Sequence, residues 1–232
     1  MTPVFAGGRP LVLLAERAVW LEPERTLLVA DLHIGKATTF RALGVPVPRG
    51  TTSETLARLG ELVDRMRAER VVVLGDFLHG PLAHAPATLA AVAAWRTVRP
   101  ALEVVLVRGN HDSRAGDPPP EWGIESLDGP LHLGPLALCH HPDPLPGRYV
   151  LAGHLHPAVV VGGRARDRLR LPCFHFGPQV GVLPAFGAFT GMHEMSSGSD
   201  DRLYVVANDE VRALHASLPL QSPLGRPINF SR

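Results

Sequence analysis

Cysteine is almost missing: Cys139 and Cys173 are the only two in 232 residues. They lack C-x-x-C spacing, so the chain has neither a disulfide framework nor a thiolate metal site, and both read as buried small hydrophobes. Lysine is rarer still, with Lys36 the single one. The basic side is therefore carried by arginine, which together with the abundant Ala, Gly and Pro reads as genomic base composition. Neither sign of charge is in excess, since 23 basic residues stand against 22 acidic ones. The bulk electrostatic argument for a nucleic-acid binder is removed, and any such affinity must be local. Long hydrophobic runs are missing too. Leu11 to Ala15 and Thr26 to Ala30 are closed by Glu16, Arg25 or Asp31 well before the roughly 20 residues of a membrane helix. Met1 to Pro10 has no basic patch, apolar stretch and small-residue cleavage site in sequence, so a cytoplasmic protein without a membrane partner is expected.

What is present is enough apolar material, 45% of residues, for one sizeable core. Leu11–Leu14 and Ala18–Leu21 read as a hairpin, and Thr26–Ala30, Val71–Leu74 and Glu103–Val107 as buried strands. Thr51 with Glu54 forms a capping-box pattern ahead of Leu56, Leu59, Leu62, Val63 and Met66 at helical spacing, and Pro86–Val98 is an alanine-rich helix. Strand, helix, strand, helix, strand predicts a parallel sheet. After Asn110, short strands dominate: Leu131–Leu133, Leu136–Cys139, Tyr149–Ala152, Ala158–Val161, Leu169–Leu171, Val180–Leu183 and Leu203–Val206. The expected fold is α/β, two sheets packed face to face with helices outside. Residues 1–215 are read as the domain and 216–232, with Pro219, Pro223 and Pro227, as a loosely attached tail.

Histidine is over-represented, with 12 residues, and most stand where apolar runs end. Five segments end predicted strands in oxygen and nitrogen donors: Asp31-Leu32-His33, Gly75-Asp76-Phe77-Leu78-His79, Gly109-Asn110-His111-Asp112, Cys139-His140-His141 and Gly153-His154-Leu155-His156. Open α/β sheets place their sites at such strand ends. Each glycine is expected to turn the backbone sharply, and each D-x-H or H-x-H pair to present two donors on one face of extended chain. The spacings from Asp31 to Asp76 and from Asp76 to Asn110 suit β-α-β steps, and the short one from His140 to His154 suits a hairpin. So many donors exceed the needs of one metal, and two ions bridged by a carboxylate use them all. The reading is a dinuclear hydrolytic site. Hard oxygens mixed with imidazole, without thiolate, favour Mn2+, with Fe2+ or Zn2+ as alternatives.

The five blocks in this order resemble the calcineurin-like metallophosphoesterase superfamily, whose pattern is D-x-H, G-D, G-N-H-D/E, H and G-H-x-H. The opening D-L-H-I-G-K, the G-D-F-L-H-G, the H-H-P with G-H-L-H-P, and the late L-P-A-F-G-A-F-T-G at 183–191 are most similar to its bacterial ligase-associated DNA damage response endonucleases. The resemblance implies a four-layer α/β/β/α sandwich and hydrolysis of phosphodiester bonds, with DNA as substrate and a DNA-repair ligase or helicase as partner. It also implies that Asp31, His33 and His156 hold one metal, that Asp76 bridges, and that Asn110, His140 and His154 hold the other. His111 is then free to protonate the leaving group, with Asp112 orienting it. Either His140 or His141 can be the ligand; His140 is taken because it directly ends its strand.

Other residues are read as substrate contacts. His79 can approach the substrate or hydrogen-bond the ligand loop, and His141 stands beside the chosen ligand. Arg164, Arg166, Arg168 and Arg170 alternate, so an extended strand puts their guanidinium groups on one face, able to track phosphates. The same pattern, with Asp167 interleaved, also describes a solvated hairpin. Lys36, Arg41 and Arg49 are contacts by position alone. His84, His132, His175, His193 and His215 lack such company and read as structural or surface residues, His175 being the one most able to depart from this. Two rivals stand beside the nuclease. One is a phosphodiesterase or pyrophosphatase acting on a nucleotide or nucleotide-linked small molecule, which an apolar entrance helix would favour. The other is a non-catalytic scaffold, which would not need every ligand and a free His.

Overall fold

Short Val- and Leu-rich runs build a first sheet of seven strands in the computed structural model, which describes residues 1–47, 50–162 and 168–214. Its order follows the chain: β1 (Thr2–Ala6), β2 (Arg9–Leu14), β3 (Ala18–Leu21) and β4 (Thr26–Val29) are antiparallel neighbours. Then β5 (Arg70–Leu74), β6 (Glu103–Val107) and β7 (Ile124–Leu127) run parallel to β4. Helices α1 (Lys36–Ala42) and α2 (Thr51–Met66) link β4 to β5, α3 (Pro86–Thr97) links β5 to β6, and α4 (Asn110–Ala115) follows β6. The three parallel steps bring the carboxyl ends of β4, β5 and β6 to one edge.

Leu56, Leu59, Leu62 and Val63, spaced three and four apart on α2, form one buried cluster with Leu27, Val29, Val71 and Val73 of the sheet. The start of α2 differs from expectation. Gly50, at φ 90, is the N-cap, with no side-chain hydrogen bond, and its carbonyl accepts from Glu54 N at 2.8 Å. Thr51 is already helical, its carbonyl accepting from Thr55 Oγ1 at 2.9 Å. Glycine's access to positive φ fixes the entry angle here, in place of a side-chain cap.

The second sheet comprises β8 (Leu131–Leu133), β9 (Leu136–Leu138), β10 (Tyr149–Ala152), β11 (Pro157–Gly162), β12 (Arg168–Phe176), β13 (Val180–Val182), β14 (His193–Glu194), β15 (Arg202–Ala207) and β16 (Glu210–Leu214). Its order is β14-β11-β12-β13-β10-β9-β8, with β15 between β12 and β16. Leu28, Ala30, Val72 and Leu74 from the first sheet meet Leu136, Leu138, Leu151 and Phe174 from the second in one buried cluster, giving the expected face-to-face α/β sandwich. Every α-helix among the described residues precedes Gly116, so the outer helical layer expected over the second sheet is not among them.

The anticipated hairpin between His140 and His154 is instead a parallel pair, Leu136 opposite Tyr149 and Leu138 opposite Leu151. Pro142, Pro144 and Pro146 in the connection supply no N–H for a ladder and carry the chain back outside the sheet. The consequence is functional, because parallel β9 and β10 deliver His140 and His154 to the same edge. Cys173 is buried as expected, while Cys139 is only half-buried. Arg49, Arg164, Arg166, Asp167, His215 and the tail 216–232 lie outside the described residues. Among the described residues no helix is long and apolar enough to cross a membrane.

Candidate metal centre

All five donor segments do leave strand ends, from β4, β5, β6, β9 and β10, and they converge. Backbone ties extend the β4–β5 pairing past the strands: Asp31 N donates to Gly75 O at 3.1 Å, His33 N to Asp76 O at 2.9 Å and Ile34 N to Phe77 O at 2.8 Å. The D-x-H and H-x-H segments are not extended as expected. Asp31, His33, Asp76, His154 and His156 all have positive φ, between 48° and 70°, so the turning is done by the donor residues themselves. Non-glycine residues held in this region cost on the order of 1 kcal/mol or more each and persist where surrounding bonds over-determine them. Here those bonds include His154 N donating to both Asp31 oxygens, at 3.1 and 2.9 Å, and His111 N donating to Asp76 Oδ1 at 2.9 Å.

The glycines serve mainly space. Gly75 does need its φ of 77°, and a Cβ there would also collide with the His140 ring. Gly109 sits at φ −99° and Gly153 outside the left-handed region, yet a Cβ at the first would press on Asp76 and at the second would lie 2.7 Å from Asp31 Oδ2. Glycine here lets backbone approach the buried carboxylates, a reason the spacing alone could not reveal.

Around these carboxylates the donors fall into overlapping groups: Asp31, His33 and His156; Asp31, Asp76 and His140; His140, His141 and His154; and His33, His79 and His111. Asp76 lies between the first and third, with Oδ2 at 3.8 Å from His33 Nε2 and Oδ1 at 3.5 Å from His140 Nε2. Asp31 Oδ1 is 3.5 Å from His156 Nε2, and His33 and His156 bring their Nε2 atoms to 3.3 Å. On the other side His140 Nε2 is 3.0 Å from Asn110 Oδ1 and 3.1 Å from His154 Nδ1. His140 is buried, with its Nδ1 held 3.0 Å from Leu74 O, whereas His141 is exposed and packs edge-on against His154 at 4.4 Å between ring centroids. The aim of its Nε2 favours His140 as the donor.

Burial dominates the electrostatics. It pushes Asp76 above the ordinary carboxylate range and lowers His33, with His79 and His140 each brought to about 4. His33, His79 and His140 are thus neutral donors at neutral pH, facing two buried carboxylates. Lys36 is the one lysine close enough to feel both Asp31 and Asp76, and burial lowers it. Two buried carboxylates ringed by imidazoles form a site that divalent cations would complete, since cations offset the cost of burying those charges.

Several residues play parts the sequence did not indicate. Asp112 does not touch the His111 ring: it accepts from Leu78 N at 2.8 Å and from Gly109 N at 2.9 Å, capping the one-turn α4 and tying it to the Asp76 loop. The expected orienting role falls to the carbonyl of His79, which accepts from His111 Nδ1 at 2.6 Å. That tautomer turns His111 Nε2 toward Asp76 Oδ2, 3.9 Å away. His79 also stacks on His111, 4.7 Å between centroids, and its Nδ1 lies 3.3 Å from Nδ1 of His33. A second partner on the far nitrogen of a ligand imidazole fixes its tautomer and rotation. We therefore expect His79→Ala to weaken metal affinity by roughly tenfold or more, read by metal titration; unchanged affinity would return His79 to the role of a substrate contact.

The rim is built by α1, which the sequence does not announce because seven residues carry no readable period. Phe40 packs 5.7 Å from Phe189 and 6.2 Å from the His79 ring, and Leu43 and Val45 are exposed beyond it. Arg168 and Arg170 pair with Gly162 and Val160, so at about 3.3 Å per residue they stand one strand length from His156, away from the centre. His175 Nε2 lies 2.9 Å from Asp201 Oδ2, His84 lies 3.0 Å from Ala115 O, and His132 and His193 are exposed, all outside the donor groups.

Residues 24–134 match the calcineurin-like phosphoesterase family. Among solved structures, the nuclease MPE of Pseudomonas putida is 47% identical, with 92% of this chain and 99% of that one covered and a TM-score of 0.81. A protein of unknown function from Aquifex aeolicus, AQ665, is 20% identical, covering 56% of this chain and 78% of that one, with a TM-score of 0.38. The E. coli phosphoesterase Yfce is 17% identical, covering 88% and 96%, with a TM-score of 0.36. No curated protein matches the chain.

Proposed function

Because the chain belongs to the calcineurin-like phosphoesterase family, we propose that it hydrolyses phosphodiester bonds in DNA at a centre of two divalent ions, manganese by preference. The observation that carries this reading is Asp76, which stands between the two donor groups with one oxygen toward each, a placement that suits a bridging carboxylate. Asp31, His33 and His156 would hold one ion, and Asn110, His140 and His154 the other. The donors are hard oxygens and imidazole without thiolate, which suits manganese or iron better than a soft zinc site. The nuclease assignment is supported by the Pseudomonas putida relative, and a repair ligase or helicase is the partner that the resemblance favours.

Two divalent ions held there would supply charge neutralisation for a phosphate and lower the pKa of a bound water. The chain supplies the rest. His111, pinned through Nδ1 to the His79 carbonyl, keeps Nε2 aimed into the site to hold the proton that the departing oxygen takes. Asp112 fixes the loop that carries His111, and Lys36 adds positive charge where the phosphate enters.

The test uses metal-purged protein, with and without added manganese, against a chromogenic diester, a chromogenic monoester, and single- and double-stranded DNA. Turnover is expected with manganese alone, on the diester and on DNA. Full activity in excess chelator, or preference for the monoester, would overturn the reading.

A second reading, a phosphodiesterase or pyrophosphatase for nucleotide-linked small molecules, is favoured by the apolar rim of Phe40, Phe189 and Leu43. Such a rim takes a nucleobase as readily as an apolar tail. A nucleotide-linked substrate cleaved faster than DNA in the same assay would select it.

A further inference from the structure

A cleft that holds two arginines adjoins the 185–187 segment, and neither the donor motifs nor the proposed mechanism uses it. It is a cleft of ≈ 330 Å3 bounded by Ala15, Arg17, Arg58, the Leu171–Pro172 step of β12 and the turn from Val206 to Asp209. Arg17 follows β2 in the turn that opens β3, at φ 68°, and Arg58 stands on α2. Both guanidinium groups are half-buried, and burial lowers both, with each other's charge a further cause at Arg58. Among the described residues neither is in an ion pair. Their partners are backbone carbonyls, Ala185 O at 3.3 Å from Arg17 and Phe186 O for Arg58, and Arg58 Nε is buried with no hydrogen-bond partner.

Other charges face the cleft. Glu16 is engaged by Arg65 at 2.5 Å, Glu54 acts on Arg58 from one turn away, and Asp209 is exposed at the far wall. Glu16 and Glu54 both act on Arg58 through space, and none of the three forms an ion pair with Arg17 or Arg58 among the described residues. Two half-buried guanidinium groups with no directly paired carboxylate offer charge and N–H donors to an anion, and the planar fork of arginine matches a phosphate.

The cleft is coupled in space to the metal centre through one segment. Phe186 N donates to Ala30 O at 2.7 Å and Gly187 N to Asp31 O at 3.1 Å, while Arg17 and Arg58 hold the carbonyls of Ala185 and Phe186. The 185–187 strip thus has a metal ligand on one side and the arginine pair on the other. We propose that the Arg17–Arg58 cleft binds a phosphate of the substrate strand remote from the scissile one, and so favours polynucleotides over small diesters. This rests on the nuclease reading above.

The test compares wild type, Arg17→Gln, Arg17→Lys and Arg58→Gln as manganese-loaded proteins. The readouts are oligonucleotide cleavage, oligonucleotide binding across a salt series, hydrolysis of a chromogenic diester, and thermal melting. In Arg17→Gln the ratio of kcat/KM on the oligonucleotide to that on the small diester is expected to fall roughly tenfold, the worth of a charge-assisted hydrogen bond. The slope of log affinity against log salt should shrink by about one. Arg17→Lys should recover part of both, because charge returns without the fork. Arg58 also stacks on the Phe186 ring at 4.3 Å, so its variant can lose stability, and Arg17 carries the decision if it does. An unchanged ratio and salt slope in Arg17→Gln would overturn the proposal. Equal loss on both substrates with a lowered melting temperature would overturn it too, making the pair a clamp for the 185–187 strip. Wild type that binds oligonucleotide through Arg17 but does not cut it would leave this cleft standing and sink the nuclease reading alone. Wild type that neither binds nor cuts oligonucleotides would sink both.

Discussion

Asp76→Asn should lower turnover by at least about a thousandfold, with metal content falling in step. The argument is one of charge and position. An amide oxygen can still accept from His111 N, which donates to Asp76 Oδ1 at 2.9 Å, so the loop geometry survives the change. What is lost is the negative charge between His33 on one side and His140 on the other, where two cations would otherwise repel across a neutral group. Burial already pushes the Asp76 carboxyl upward, so the metal-free variant should melt at the same temperature as wild type or higher. Added manganese should raise its melting temperature less than it raises that of wild type, because stabilisation by a ligand scales with its affinity for the folded state. Elemental analysis, melting with and without manganese, and diester turnover read the three consequences. Two tightly held ions with near wild-type turnover would show that Asp76 is not the bridge.

Much of this centre was legible in the sequence because strand ends are marked by composition. Val71–Leu74 closing on Gly75-Asp76, and Glu103–Val107 closing on Gly109-Asn110, state both the element and the donor, and the parallel order of β4, β5 and β6 then follows from the helices between them. Four things were not legible. The parallel pairing of β9 and β10 depends on where a proline-containing connection runs, which local pattern does not encode. The left-handed conformations of Asp31, His33, Asp76, His154 and His156 are imposed by long-range bonds such as His154 N to Asp31, so no neighbouring residue announces them. The division of labour between Asp112 and His79 rests on which groups reach which hydrogen atoms. Asp112, next to His111 in sequence, faces its own helix start instead, and a carbonyl thirty-two residues away takes the expected place against the ring. The Arg17–Arg58 pair was likewise invisible, since its members are far apart in the chain and meet only through the 185–187 strip.

His111→Ala should part metal binding from turnover, the reverse of the Asp76 result. The ring makes its Nδ1 contact to the His79 carbonyl at 2.6 Å, and its Nε2 is 3.9 Å from the nearest Asp76 oxygen, so in the proposed centre it faces the substrate and removing it takes no donor from Asp31, Asp76, Asn110, His140, His154 or His156. Two ions should therefore remain by elemental analysis. General-acid catalysis by a positioned imidazole contributes typically about 100- to 10,000-fold, and the loss should depend on the leaving group. A nitrophenolate departs without help, so hydrolysis of the chromogenic diester should fall little. A sugar hydroxyl needs its proton as the bond breaks, so cleavage of DNA should fall by the larger factor. The alanine also removes the stacking partner of His79, at 4.7 Å, which can loosen His33 in turn. His111→Asn addresses this, since it keeps a planar polar group without a proton to give. Should His111→Ala lose one ion, His111 is a ligand. Should both substrates slow by the same factor with both ions in place, it acts on phosphate binding and not on the leaving oxygen.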